Sequence, residues 1–87
     1  FINLFNLIYL NLSYNELSSI DSELFKNLFG LVDLDLSFNR LTYIKNSYLS
    51  SMNNLKNLYI NSNYFFEIDK LGTLNSIKNI YIDKKLI

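Results

Sequence analysis

The chain has no cysteine, histidine, proline or tryptophan, and only two glycines and one methionine in 87 residues. Without cysteine, these residues can form neither a disulfide framework nor a thiolate metal site. Without histidine, the commonest general base and the commonest neutral metal ligand are missing together. The two glycines, Gly30 and Gly72, stand far apart and make no glycine-rich loop. Charge of one sign is lacking too: eight basic and eight acidic residues, with no like-charged run longer than the Lys84-Lys85 pair, sum to zero. This leaves neither the basic stripe of a nucleic-acid binder nor the acidic run of an interaction tail. The longest apolar run, residues 28–32 with Gly30 counted, falls far short of the roughly 20 residues that span a bilayer. No stretch from Phe1 onward combines a charged start, an apolar middle and a small-residue cleavage site, so no leader is expected in this segment. The exclusions point to a chain without cofactor, metal or catalytic constellation. It should not bind nucleic acid, and this segment should not insert into a membrane.

What the chain does have is a repeat. LIYLNLSYNEL (7–17) aligns with LVDLDLSFNRL (31–41) at an offset of 24, and a further 24 reaches LKNLYINSNYF (55–65). A step of 22 then reaches IKNIYIDKKLI (77–87). The first, fourth, sixth and eleventh positions are apolar in every copy: Leu7, Leu10, Leu12 and Leu17, then Leu31, Leu34, Leu36 and Leu41. Leu55, Leu58, Ile60 and Phe65 follow, then Ile77, Ile80, Ile82 and Ile87. The ninth position reads Asn15, Asn39, Asn63 and Lys85. Three residues past each of the first three copies come Ile20, Ile44 and Ile68, and apolar triplets such as Phe25-Leu28-Leu31 lead into each copy. Sixteen core slots filled in fixed phase make an internal repeat, which governs the rest of the reading.

The pattern L-x-x-L-x-L-x-x-N-x-L resembles the leucine-rich repeat signature over essentially the whole chain. The first two copies are similar to the 24-residue "typical" class of receptor ectodomains and secreted proteins. The third is two residues shorter, like the 22-residue class of many intracellular proteins. The resemblance implies an α/β solenoid: a curved parallel sheet on the concave side, with short helical, 3₁₀ or loop segments on the convex side. Residues 1–87 then form one array, with strand segments near 8–13, 32–37, 56–61 and 78–83. The period-two alternation within each copy supports this, with Leu10 and Leu12 facing inward and Tyr9, Asn11 and Ser13 outward. The array opens mid-copy and ends on a strand and turn without polar caps, so a segment of a longer solenoid is expected.

Asn15, Asn39 and Asn63 are expected to be structural. Each follows a strand where the chain turns, and an amide offers both a donor and an acceptor to inward-facing backbone groups. At Lys85 that acceptor is lost, so the last turn should be irregular, with its ammonium in solvent. The outward strand positions are the candidate partner-binding surface: Tyr9, Asn11, Asp33, Asp35, Asn57, Tyr59, Asn79 and Tyr81. Positions seven and eight of each copy, including Ser37, Tyr14, Phe38 and Ser62, are read as part of the same face. Asp33 and Asp35 could form an acid–base pair or hold calcium, but neighbouring copies supply no base, nucleophile or further acids. They read better as an acidic spot for a basic patch on a partner. Asn11-Leu12-Ser13 is the one N-x-[ST] sequon, and about two would arise by chance in so asparagine-rich a chain.

The expected function is non-catalytic protein–protein recognition on the concave face, for a protein ligand or partner subunit. The resemblance favours a receptor ectodomain or secreted adhesion-type parent, at the cell surface or outside the cell. The alternative is a cytoplasmic leucine-rich repeat scaffold that docks an enzyme or signalling partner.

Overall fold

The computed structural model describes residues 6–65 and 76–83. Ile68, Leu71, Leu74, Lys85 and Ile87, and with them the expectation for the last turn, lie outside the described residues. Four strands of three residues each, β1 (Tyr9–Asn11), β2 (Asp33–Asp35), β3 (Asn57–Tyr59) and β4 (Asn79–Tyr81), lie in one parallel sheet in sequence order. The register follows the repeat residue for residue: Leu10 pairs with Leu34, Leu34 with Leu58, and Leu58 with Ile80. Because every strand runs the same way, the chain must cross behind the sheet between copies.

Among the described residues, two of those crossings contain a single helical turn, α1 (Ser22–Phe25) and α2 (Asn46–Leu49). Asp21 starts α1 by accepting a 2.9 Å bond from the Glu23 backbone N–H, which satisfies one of the donors a helix start leaves unpaired. Lys45 precedes α2 and has no such side-chain bond. On this side, Ser51 Oγ donates to the Phe25 carbonyl (3.3 Å) and Ser76 Oγ to the Met52 carbonyl (3.4 Å), tying one crossing to the next.

The core lies between sheet and crossings. Leu31, Leu34, Leu36, Leu41, Leu55, Leu58, Ile60 and Phe65 from the strand segments are buried against Phe25, Leu28, Leu49 and Met52 from the crossings. Residues at matching positions in the outer copies are half-buried: Leu7, Leu10, Leu12 and Leu17 at one side, and Ile77, Ile80 and Ile82 at the other. A hollow of about 320 Å³ opens beside the first turn between Leu12, Leu17, Ile20, Phe25 and Leu36. The repeat therefore assigns each leucine its direction, and flanking copies determine how far it is buried. Among the described residues, no helix is long and apolar enough to cross a membrane.

Candidate functional site

The parallel register gathers the eight outward residues into two columns across the sheet. One runs Tyr9, Asp33, Asn57, Asn79 and the other Asn11, Asp35, Tyr59, Tyr81. In the first column, Asn57 Nδ2 donates to Asp33 Oδ1, and Asn79 Nδ2 donates to Asn57 Oδ1 at 2.8 Å. A carboxylate can only accept, so it sits at the end of the chain, and Asn57 in the middle uses its N–H₂ toward Asp33 and its oxygen toward Asn79. Tyr9 stands outside that chain, with its ring about half exposed.

The second column behaves differently. Tyr59 and Tyr81 stack face to face, with centroids 4.4 Å apart and planes 5° from parallel. Burial against its neighbours, together with Tyr81 and the negative charge of Asp33, raises the Tyr59 phenol above its ordinary value of 10.0. Asp35 bends back on its own strand: Oδ1 accepts from the Ser37 backbone N–H at 3.0 Å and from the Ser37 hydroxyl. Asn11 does the same with Ser13. Each is a side-chain turn that ends the strand. It also corrects one expectation, because Ser37 is folded under Asp35 and only 6% exposed, so it presents nothing to a partner.

Asp33 and Asp35 are half-buried, and neither makes an ion pair with another described residue. The ion pairs among the described residues are Lys26–Glu23 and Arg40–Glu16. No three acidic side chains among the described residues converge as a metal cage.

Behind the strand ends lie the turn asparagines. Asn39 Nδ2 lies within hydrogen-bonding distance of the carbonyls of Leu36 and Ser37 in its own turn (3.1 and 3.2 Å) and Leu12 in the preceding one (3.0 Å). Its Oδ1 accepts from the Leu17 N–H at 3.1 Å. Asn63 repeats this with Ile60 and Asn61 in its own turn, and Leu36 and Leu41 in the one before. Both are buried. Asn15 is exposed and bonds to Leu12 and Ser13 of its own turn.

The sequence reading placed position eight on the strand face, and the structure moves it. Tyr14, Phe38 and Ser62 have φ of 58°, 57° and 59°, the left-handed region that bulky residues seldom enter. The chain has left the strand there, and these side chains project along the edge of the solenoid. Tyr14 and Phe38 stack at 4.3 Å and 8°, with Tyr14 75% exposed. Between this column and the next one out, Glu16, Arg40 and Tyr64, runs an open hollow of about 430 Å³. The run Ser-Tyr-Asn, Ser-Phe-Asn, Asn-Ser-Asn after each alternating segment was the available sequence sign of this edge.

Comparisons with known proteins agree with this geometry. The leucine rich repeat family model matches residues 1–41. No curated protein matches the chain. Among solved structures, a chain of the Toll–Spatzle complex, described as a molecular hub in Drosophila development and innate immunity, superposes with a TM-score of 0.83 at 32% identity. The match covers 92% of this chain and 11% of that one. With the repeat in fixed phase, the in-register parallel sheet and these likenesses, the chain belongs to the leucine-rich repeat family.

Proposed function

We propose that the chain is a non-catalytic protein-recognition module whose outward sheet face meets a protein ligand. The reading rests above all on the ordered side chains of that face. The Asp33–Asn57–Asn79 chain and the Tyr59–Tyr81 stack hold contact groups in fixed rotamers before any partner arrives, which lowers the entropy lost on docking. Tyrosine supplies large contact area with few rotatable bonds. Asp33 and Asp35, with no cation paired to them among the described residues, suit a basic group on the partner. The likeness to a chain seen in complex with Spatzle supports a receptor ectodomain or secreted adhesion-type parent with a protein ligand.

The test is site-specific photocross-linking. A photoreactive phenylalanine goes at position 9 or 79 on the sheet, or at the exposed positions 47 or 50 on the helical side. With cell-surface and secreted fractions of the parent organism, one protein adduct should form from positions 9 and 79 only. Adducts confined to 47 and 50 would move the binding face to the crossings. The 22-residue step from Leu55 to Ile77 favours a second reading, an intracellular scaffold. Residues flanking this segment in its reading frame separate the two. A signal peptide, cysteine-rich caps or a membrane span go with the first. A cytosolic catalytic or nucleotide-binding domain goes with the second.

A further inference from the structure

The Tyr14–Phe38 stack stops one copy short of where its geometry leads. Residues 14, 38 and 62 share one backbone conformation, so their Cβ atoms aim the same way from successive turns. The rings are 4.3 Å apart, close to the spacing of about 4.8 Å between neighbouring strands, so one ring per turn continues the stack. The third turn carries Ser62, whose side chain is too short to form the next ring. Phe38 accordingly keeps 41% of its surface exposed, although Tyr14 covers one face.

We propose that the hollow beside Ser62 binds an aromatic side chain of a partner protein as the third ring of this stack. The walls suit such a group. Phe38 offers a flat face, and Tyr64, itself 64% exposed, stands on the other side of the hollow. Arg40 lines the same hollow, with its guanidinium paired to Glu16. The Ser62 hydroxyl has no partner among the described residues and can meet a phenol. Left-handed backbone favours glycine and tolerates asparagine, and this chain uses asparagine fourteen times. Placing Tyr14 and Phe38 there instead retains strained positions, which cluster where proteins bind. Tyrosine and arginine are also the residue types that dominate interface energetics.

The experiment is a titration of the ¹⁵N-labelled chain with N-acetyl-L-tyrosinamide, followed by NMR at the Phe38 and Ser62 amides. A saturable ring-current shift is expected at both, with a dissociation constant on the order of 1 mM, as befits a single side chain. Methyl β-D-glucopyranoside should give none. Ser62→Phe supplies the third ring from within and should abolish the shift, while the core amides of Leu34 and Ile60 stay native. Phe38→Leu keeps apolar volume without a flat face and should weaken binding at least about tenfold, so the test stands even if Ser62→Phe does not fold. Absence of a saturable shift in the wild type, or an unchanged shift in Phe38→Leu, overturns the proposal. An equal response to the glucoside assigns the hollow to carbohydrate and overturns it too. The site lies off the sheet face, so its failure leaves cross-linking at positions 9 and 79 unaffected.

Discussion

Asn15 and Asn39 are the same residue at the same place in consecutive copies, and they do different work. Asn39 joins two turns through Leu12 and Leu17 behind it and Leu36 and Ser37 beneath it, at 4% exposure. Asn15 ties only its own turn and is exposed. Leu10 and Leu34 show the same contrast, one half-buried and the other wholly enclosed. A repeat position fixes which groups a residue meets. The copies on either side fix how much those meetings contribute, because water competes for the outer ones and not for the inner ones.

The largest test of that contrast is in the core. Leu34→Ala opens a cavity between enclosing copies and should cost about 2–5 kcal/mol. Leu10→Ala removes a side chain already partly in water and should cost less than half as much. Urea denaturation gives both numbers, with the midpoint moving and the slope held. Equal losses at the two positions would mean that burial does not separate the copies.

Asparagine provides the next test. Asn39→Ala leaves the Leu17 N–H without its acceptor and takes one of two donors from each of the Leu12, Leu36 and Ser37 carbonyls, and should cost about 1–3 kcal/mol. Part of that is recovered if water enters the gap. Asn15→Ala faces solvent, which replaces both of its bonds, and should cost under about 1 kcal/mol. Asn39→Asp separates the two functions of the amide, since a carboxylate accepts from Leu17 but cannot donate to the carbonyls. It should be nearly as harmful as alanine at neutral pH.

Much of this frame was legible in the sequence, because strand direction, register and core slots all follow from one apolar period. Phase alone identifies Leu34 as inward and Asp33 as outward. What phase does not carry is the fate of residues whose side chains bond locally. Asp35 and Ser37 both count as outward by alternation, yet Asp35 captures the Ser37 N–H and hydroxyl and folds that serine under. The spacing Asp-x-Ser, and Asn-x-Ser in the first copy, is the local cue that competes with alternation. Position eight failed for a different reason. A left-handed residue ends the strand, so period two no longer holds, and nothing about tyrosine or phenylalanine announces positive φ. The third turn adds a substitution of partners that no pattern gives. The N–H of Tyr14 reaches the Ser37 carbonyl and that of Phe38 reaches the Asn61 carbonyl, whereas Ser62 N–H goes to the Asp83 carboxylate (2.9 and 3.1 Å).

That edge supplies a smaller test. Ser62→Gly removes a Cβ from a left-handed position with no ring contact to lose, and should stabilise the chain by about 1 kcal/mol. Phe38→Gly gains the same relief but gives up a stacked pair worth about 0.5–1.5 kcal/mol. Its net change should lie near zero or slightly negative. A clear gain at position 38 would show that the Tyr14–Phe38 stack contributes nothing to the fold.

The smallest effect concerns the one column where stacking and charge act together. Tyr59 holds its proton above pH 10.0 because burial disfavours the phenolate, the adjoining Tyr81 phenol adds to the rise, and the Asp33 carboxylate opposes a second negative charge beside it. Its folded-state value exceeds the unfolded one, so whatever this group adds to stability is present in full below about pH 10 and is lost as pH rises through the folded value. Tyr81→Phe keeps a ring for the stack but removes the hydroxyl. Asp33→Asn keeps the shape of the acceptor and removes the charge. Each should bring Tyr59 part of the way down toward 10.0, with burial holding the remainder. Tyrosinate absorbance measured against pH, with Tyr59→Phe as the subtraction, follows the group directly. If neither substitution moves it, desolvation by the packed strands alone sets the Tyr59 titration, and the sheet face holds its charge without coupling between neighbouring copies.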